Sequence, residues 1–216
     1  MPAYRLVVLI SGKGTNLQAI LDACQVGRLA AQVVAVISNR PGVSGLQRAA
    51  DAGIPHRVID HTGFADRAAF DRALAQHIHT YAPDLILLAG FMRVLTLAFV
   101  TQFAGRLLNI HPSLLPAFPG LHTHQRVLDA GVTRHGVSVH FVTPTLDGGP
   151  VIAQAAVPVL PTDDVPQLAA RVRVAEHRLY PVVVQWLVAG RLSLNTQQQP
   201  VFDGAVLYNP VLIRDA

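Results

Sequence analysis

Arg5-Leu6-Val7-Val8-Leu9-Ile10, followed by Ser11-Gly12-Lys13-Gly14-Thr15-Asn16, is the stretch that decides the fold class. Its first half is a continuous apolar run of strand length, the pattern of a strand covered on both faces. Its second half is a glycine-rich turn. Over residues 16–27, Leu17, Ile20, Leu21 and Cys24 recur at helical spacing and share one face. Strand, tight turn and helix in that order open a βαβ unit.

The same alternation continues outward. Strands are expected at 32–37, 56–60, 85–89, 107–110, 137–143 and 151–159, and helices at 43–52 and 66–81. A long last helix begins near Thr162-Asp163-Asp164, acids suited to a helix N-terminus, and carries the stripe Leu168, Val172, Ala175, Leu179 and Trp186. Pro181 is expected to bend or break it. This order predicts an α/β fold of three layers, a mostly parallel central sheet of about seven strands with helices on both faces, Rossmann-like in its N-terminal half. Ligands of such folds bind at the carboxyl ends of the strands.

The composition narrows the classes of function. The chain has 216 residues, 51% apolar and 14% charged, enough for one sizeable core. No apolar run approaches the ~18 residues of a membrane span. The first residues carry no secretory pattern, and the one cysteine, Cys24, leaves no internal disulfide; together these point to the cytoplasm. The net charge is +4, but the arginines are scattered from Arg5 to Arg214 with no run of three. That distribution disfavours a nucleic-acid partner and suits a small anionic substrate.

Two loops carry chemistry. In the first, glycines let backbone N–H groups approach an anion, and the helix N-terminus adds positive potential. The dinucleotide fingerprint fails, because position 17 is Leu and the second strand ends Ser38-Asn39-Arg40 with no ribose-binding acid. The triphosphate pattern fails too, because no Gly-Lys-Ser/Thr is present. The loop reads as the seat of a lone phosphate, or as a plain turn capped by Asn or Thr.

The second lies in Leu107-Leu108-Asn109-Ile110-His111-Pro112-Ser113-Leu114-Leu115-Pro116. Asn109 and His111 stand two apart on a strand, so their side chains face the same way. Pro112 keeps His111 extended. An amide and an imidazole side by side can donate to an oxyanion as it forms, and the imidazole can move a proton. Asp147, in Thr145-Leu146-Asp147-Gly148-Gly149-Pro150, sits in a tight turn able to swing its carboxylate towards His111 and favour the protonated ring. The alternative is a core Asn, a strand-end His and a turn Asp.

These residues also carry a resemblance. Gly90-Phe-Met-Arg-Val-Leu95 and Leu107 through Thr123 closely resemble folate-dependent formyltransferases, specifically those acting on glycinamide ribonucleotide. The first loop, His135-Gly-Val-Ser-Val-His-Phe141, Leu146-Asp-Gly-Gly-Pro-Val-Ile152 and Glu176-His-Arg-Leu-Tyr-Pro181 match as well, over residues 4 to about 194.

The resemblance implies transfer of the formyl group of 10-formyltetrahydrofolate, a cosubstrate, to the substrate amine in purine synthesis, with no metal. It implies Asn109, His111 and Asp147 as catalytic residues, and Gly14, Thr15, Asn16, Arg173 and Glu176 on the ribonucleotide. On the folate it implies Arg67, Met92, Arg93, Val94, Leu95 and Asn109, with Thr143, Pro144, Thr145, Leu146 and Asp147. It also implies a Leu115–Pro116 bond in the cis form.

One domain is expected over 1–194, with a ribonucleotide side to about 105 and a catalytic and folate side from about 106; residues 195–216 form an extension. The partners are then small molecules, not nucleic acid or membrane, and the state a monomer or homodimer.

Lys13 and Arg173 depart from the family pattern; each either adds positive charge where an anion is expected or faces water. A transferase acting on tRNA carries a further basic domain, and a formyltetrahydrofolate deformylase an N-terminal regulatory one, neither of which this chain shows. His122-Thr-His124 raises a metal-binding module as a third alternative, but a pair falls short of the usual four ligands.

Overall fold

The computed structural model describes residues 3–213. Their elements run β1 (Tyr4–Ile10), α1 (Thr15–Gln25), β2 (Ala31–Ser38), α2 (Ser44–Asp51), β3 (His56–Val58), a 3-10 turn (His61–Gly63), α3 (Arg67–His79), β4 (Leu85–Leu88), α4 (Leu97–Gln102) and β5 (Leu107–His111). After β5 come α5 (Thr123–Asp129), β6 (Arg134–Phe141), β7 (Val151–Pro158) and α6 (Val165–Val188). Four short strands close the chain: β8 (Leu192–Leu194), β9 (Pro200–Phe202), β10 (Ala205–Val206) and β11 (Val211–Ile213). The fold is three-layered α/β on an eight-stranded sheet of order β11-β7-β6-β5-β4-β1-β2-β3. A small antiparallel sheet of order β10-β9-β8 is separate from it.

The chain forms two compact units, Met1–Asn109 and Ile110–Ala216. In the first, β1 pairs in parallel with β2 and β4, β2 with β3, and β4 with β5. Leu6 through Ile10 are fully buried, as an apolar run in a strand covered on both faces requires. Each such side chain stabilises the fold by about 1.5–3 kcal/mol. The chain steps from β1 to β2 to β3 in one direction and then returns to place β4 on the other flank of β1. The loops after β1 and β4 therefore diverge, leaving a crevice at this switch point.

In the second unit β6 and β7 are antiparallel, with a register shift between Val139 and His140. The helix α6 packs on both strands, and its expected stripe, Leu168 through Trp186, is buried.

Three features differ from the sequence expectation. The eighth strand of the main sheet is β11, drawn from the tail and parallel to β7. The helices α4 and α5 were not expected. Pro181 does not end α6, which runs unbroken for 24 residues. The ring removes one N–H, but Leu179, Tyr180, Pro181, Val183 and Val184 are all buried. Packing on both sides of the lost hydrogen bond outweighs it.

Candidate active site

The first loop gains its shape from two glycines. Gly14 is left-handed (φ 67°) and caps α1, which has no side-chain cap. A Cβ on Gly14 would meet the Cα of Gly45 at 2.7 Å, so this position needs glycine for space as well as for φ. The N–H of Gly45 donates to the Gly12 carbonyl at 3.1 Å, locking the loop to α2. Gly14 itself offers α1 no side-chain cap, and the start of α1 lines a cavity of about 200 Å³. Residues 11–16 line it together with Ala89, Gly90 and Met92. Gly14, Thr15 and Asn16 are brought together there with Met92, at the switch point between β1 and β4. Lys13 is exposed, and its carbonyl accepts from Arg48 Nε at 2.9 Å.

The segment after β4 is tied to α3. Asp71, 3% exposed, accepts from the N–H of Thr96 at 2.6 Å, and Arg93 lies 5.7 Å over the ring of Phe70. Among the described residues nothing hydrogen-bonds the backbone of Val94 or Leu95. The segment thus presents a free polar backbone edge between the exposed side chains of Met92 and Val94, the requirement for a flat heterocycle with donors and acceptors on its rim. Arg67 is exposed at the start of α3, one turn from Phe70 and Asp71.

Asn109 and His111 stand two apart on β5, the first half-buried and the second 6% exposed. The carboxylate of Asp147 lies 3.4 Å from His111 Nδ1, and His111 Nε2 lies 3.1 Å from the carbonyl of Phe118. Both ring nitrogens face oxygen acceptors, and only a doubly protonated ring donates to both. The turn that delivers Asp147 is tight for a reason legible in its glycines. A Cβ on Gly149 would collide with the Phe141 carbonyl, and one on Gly148 would meet Thr145 Cγ2 at 2.5 Å. Asp147 itself is left-handed (φ 49°) and accepts from the N–H of Gly120 at 2.8 Å. Thr143 is half-buried at this turn, while Pro144, Thr145 and Leu146 are exposed.

The loop after His111 is fixed from below. Ser138 Oγ donates to the Ser113 carbonyl and accepts from the N–H of Leu115, while Gln154 Nε2 donates to the Leu115 carbonyl at 2.7 Å. Ser138 is fully buried and Gln154 nearly so. The Leu115–Pro116 bond is cis, as expected.

Arg173 is exposed on α6, and Glu176, the chain's single glutamate, is half-buried one turn on. His122 is exposed, but His124 turns inward, its Nδ1 3.0 Å from Nε2 of the buried His135. Among the described residues no group of three or more metal-ligating side chains occurs.

The sequence reading missed His140, whose Nε2 faces Asp147 at 3.8 Å from the other side. Burial pushes its pKa down, the Phe141 hydrogen bond and the Asp147 charge oppose this, and His111 adds to it. The usable signal was the alternation Ser138, His140 on β6. The Gly120 N–H and the Phe118 carbonyl had no signal, because backbone groups of a proline-rich loop leave no mark in the residue types.

The formyl transferase family pattern matches residues 4–184. Over 190 residues the chain is 54% identical to the phosphoribosylglycinamide formyltransferase of Escherichia coli K12, covering 88% of this chain and 90% of that one. Among solved structures it is similar to the phosphoribosylglycinamide formyltransferase of Coxiella burnetii in complex with CHES (TM-score 0.93, 50% identity, 98% and 99% of the two chains). It is also similar to glycinamide ribonucleotide transformylase 1 of Symbiobacterium toebii (TM-score 0.89, 47% identity, 93% and 94% coverage).

Proposed function

The chain belongs to the formyl transferase family, and from that premise we propose that it moves the formyl group of 10-formyltetrahydrofolate onto the amine of glycinamide ribonucleotide. The products are formylglycinamide ribonucleotide and tetrahydrofolate, in purine biosynthesis. The observation that carries the reading is the buried His111–Asp147 pair at the end of β5, in a fold whose glycine-capped α1 N-terminus lines a crevice after β1.

The roles follow from chemistry. Gly14, Thr15 and Asn16 hold the substrate phosphate at the N-terminus of α1, Glu176 accepts from ribose hydroxyls, and Arg173 adds positive charge. The free backbone edge at Val94 and Leu95 pairs with the pterin, flanked by Met92 and Arg93. Arg67 reaches the acidic end of the folate, and residues 143–147 line the remaining wall. The folate supplies a formyl group on nitrogen. The substrate amine bonds to the formyl carbon, the bond from that carbon to the folate nitrogen breaks, and the proton released by the amine balances the one the folate nitrogen gains. Asn109 and His111 donate hydrogen bonds to the formyl oxygen as it gains charge. His111 is the acid, and Asp147, 3.4 Å from its Nδ1, orients the ring. The formyl oxygen takes the place of the Phe118 carbonyl at Nε2.

Both substrates are small and water-soluble, and we place the reaction in the cytoplasm, carried out by a monomer or homodimer. An absorbance assay of formylfolate consumption tests the reading. Consumption should require glycinamide ribonucleotide. Consumption of equal rate without the amine would make the chain a hydrolase of formylfolate instead.

A further inference from the structure

Asn39 stands where a dinucleotide-binding fold carries its ribose-binding acid, and the proposed reaction gives it no task. It is fully buried at the carboxyl end of β2. Its carbonyl accepts from the His61 N–H at 3.3 Å, and His61 Nδ1 lies 2.8 Å from the same oxygen and 3.2 Å from the Asn39 side-chain nitrogen. Its side-chain oxygen receives the hydroxyl proton of Ser11 at 2.5 Å. Ser11 is 5% exposed and is the first residue after β1. A hydroxyl has one proton to give. With that proton committed to Asn39, a lone pair of Ser11 Oγ faces the N–H of Met92, which donates to it at 2.7 Å.

The hydrogen bonds thus run in one direction, Met92 N–H to Ser11 O–H to Asn39 C=O. They cross the switch point between β1 and β4. On one side Ser11 opens the loop 12–16; on the other Met92 opens the segment 92–95. Both loops line the same 200 Å³ cavity. This chain is a buried polar link between the two loop bases.

We propose that Ser11, oriented by Asn39, is a positioning residue that sets the phosphate loop and the folate-binding segment at one fixed separation, so that both substrate pockets depend on a single hydroxyl. The inference rests on the assignment of the ribonucleotide to residues 14–16 and of the folate to 92–95. Ser11 lies at the base of the cavity, 5% exposed, with its hydroxyl committed to Asn39 and Met92. Removing its oxygen takes the acceptor from the Met92 N–H and the donor from Asn39 Oδ1 in a buried place, and each loop base is then free to move to satisfy its own group.

The test is Ser11→Ala in the full-length protein, with Ser11→Thr restoring the hydroxyl. Steady-state kinetics are measured for each substrate with the other saturating, beside the melting temperature. In Ser11→Ala the KM for glycinamide ribonucleotide and the KM for formylfolate should both rise, each by roughly tenfold. Ser11→Thr should bring both back towards wild type. A merely structural role would lower the melting temperature and leave both KM values in place, and that result overturns the proposal. So does a rise in only one of them. Calorimetric titration with glycinamide ribonucleotide, and separately with a folate that cannot release its formyl group, reads both pockets without turnover. A wild type that binds both but transfers nothing defeats the proposed reaction and leaves the joint to be judged on the two affinities. A wild type that binds neither defeats both.

Discussion

At the scale of single residues, His111 has its two nitrogens between a carbonyl and a carboxylate, and Lys13 has its backbone held while its side chain is free. These lead to opposite kinetic outcomes. His111→Ala removes a donor that matters only as charge builds on the formyl oxygen, so kcat should fall ~10²–10³-fold with little change in either KM. A variant keeping more than half of wild-type turnover removes His111 from the chemistry. Lys13→Ala should instead raise the KM for glycinamide ribonucleotide by about two- to fivefold, because one exposed charge near an anion is worth up to ~1 kcal/mol. Its kcat and the folate KM should hold. The Arg48 bond goes to the Lys13 carbonyl, so the loop itself survives the substitution. High salt should erase the difference; a KM unchanged at low salt shows that Lys13 points only to water. The approach of Asp147 to His111, with Asn109 beside it on β5, was legible in the sequence because these residues sit in motifs at strand ends. His140 and Ser11 were not, since each acts through a partner distant in the chain.

At the scale of elements, what was legible is what is long and uniform. The strands β1, β2 and β4 are apolar runs and α6 has a buried stripe over five turns, so each was expected close to its observed bounds. The short helices α4 and α5, of 6 and 7 residues, offer too few turns for periodicity to register. The former is set by a cap, Thr96 Oγ1 accepting from the N–H of Phe99 at 3.3 Å. The strands β8 to β11 have two or three residues each, below the length at which alternation is readable. Capping also decides where α6 begins. Asp164 accepts from the N–H of Gln167 at 2.8 Å, and Gln167 Oε1 accepts in return from the N–H of Asp164 at 2.9 Å. This reciprocal pair satisfies two N–H groups that the helix leaves open. Asp164→Ala should therefore lower stability by about 1 kcal/mol, read as a lower urea midpoint at unchanged slope, with kinetics at saturating substrates unaffected. An unchanged midpoint means that packing of the Leu168–Val172 face alone fixes the start.

At the scale of the whole molecule, the response to acid is set by groups whose protonation differs between folded and unfolded chain. His135 is 1% exposed, and its pKa is pushed down to about 4 by burial first, with the charges of His124 and His111 adding. His124 is pushed down as well, by burial and then by Arg173 and His111. Their mutual hydrogen bond needs one donor and one acceptor, which the neutral pair supplies and a doubly charged pair does not. An unfolded histidine takes up its proton near pH ~6.5. Between that value and about 4 the unfolded chain binds more protons than the folded one, so stability falls with falling pH. The contribution is fully present above pH ~6.5 and lost progressively down to about 4. The Asp163 carboxylate, held down to about 2 by Arg171, adds its own loss only below pH ~5, where the unfolded carboxyl begins to take up a proton. The urea midpoint should thus drop between pH 7.5 and 5, by an amount on the order of 2 kcal/mol in stability. His135→Gln keeps a polar side chain at the site but cannot titrate. Its midpoint should start lower at pH 7.5 and change less on acidification. Parallel curves for the two proteins would assign the acid loss to other groups, and a wild-type midpoint that rises on acidification would reverse the sign of the argument.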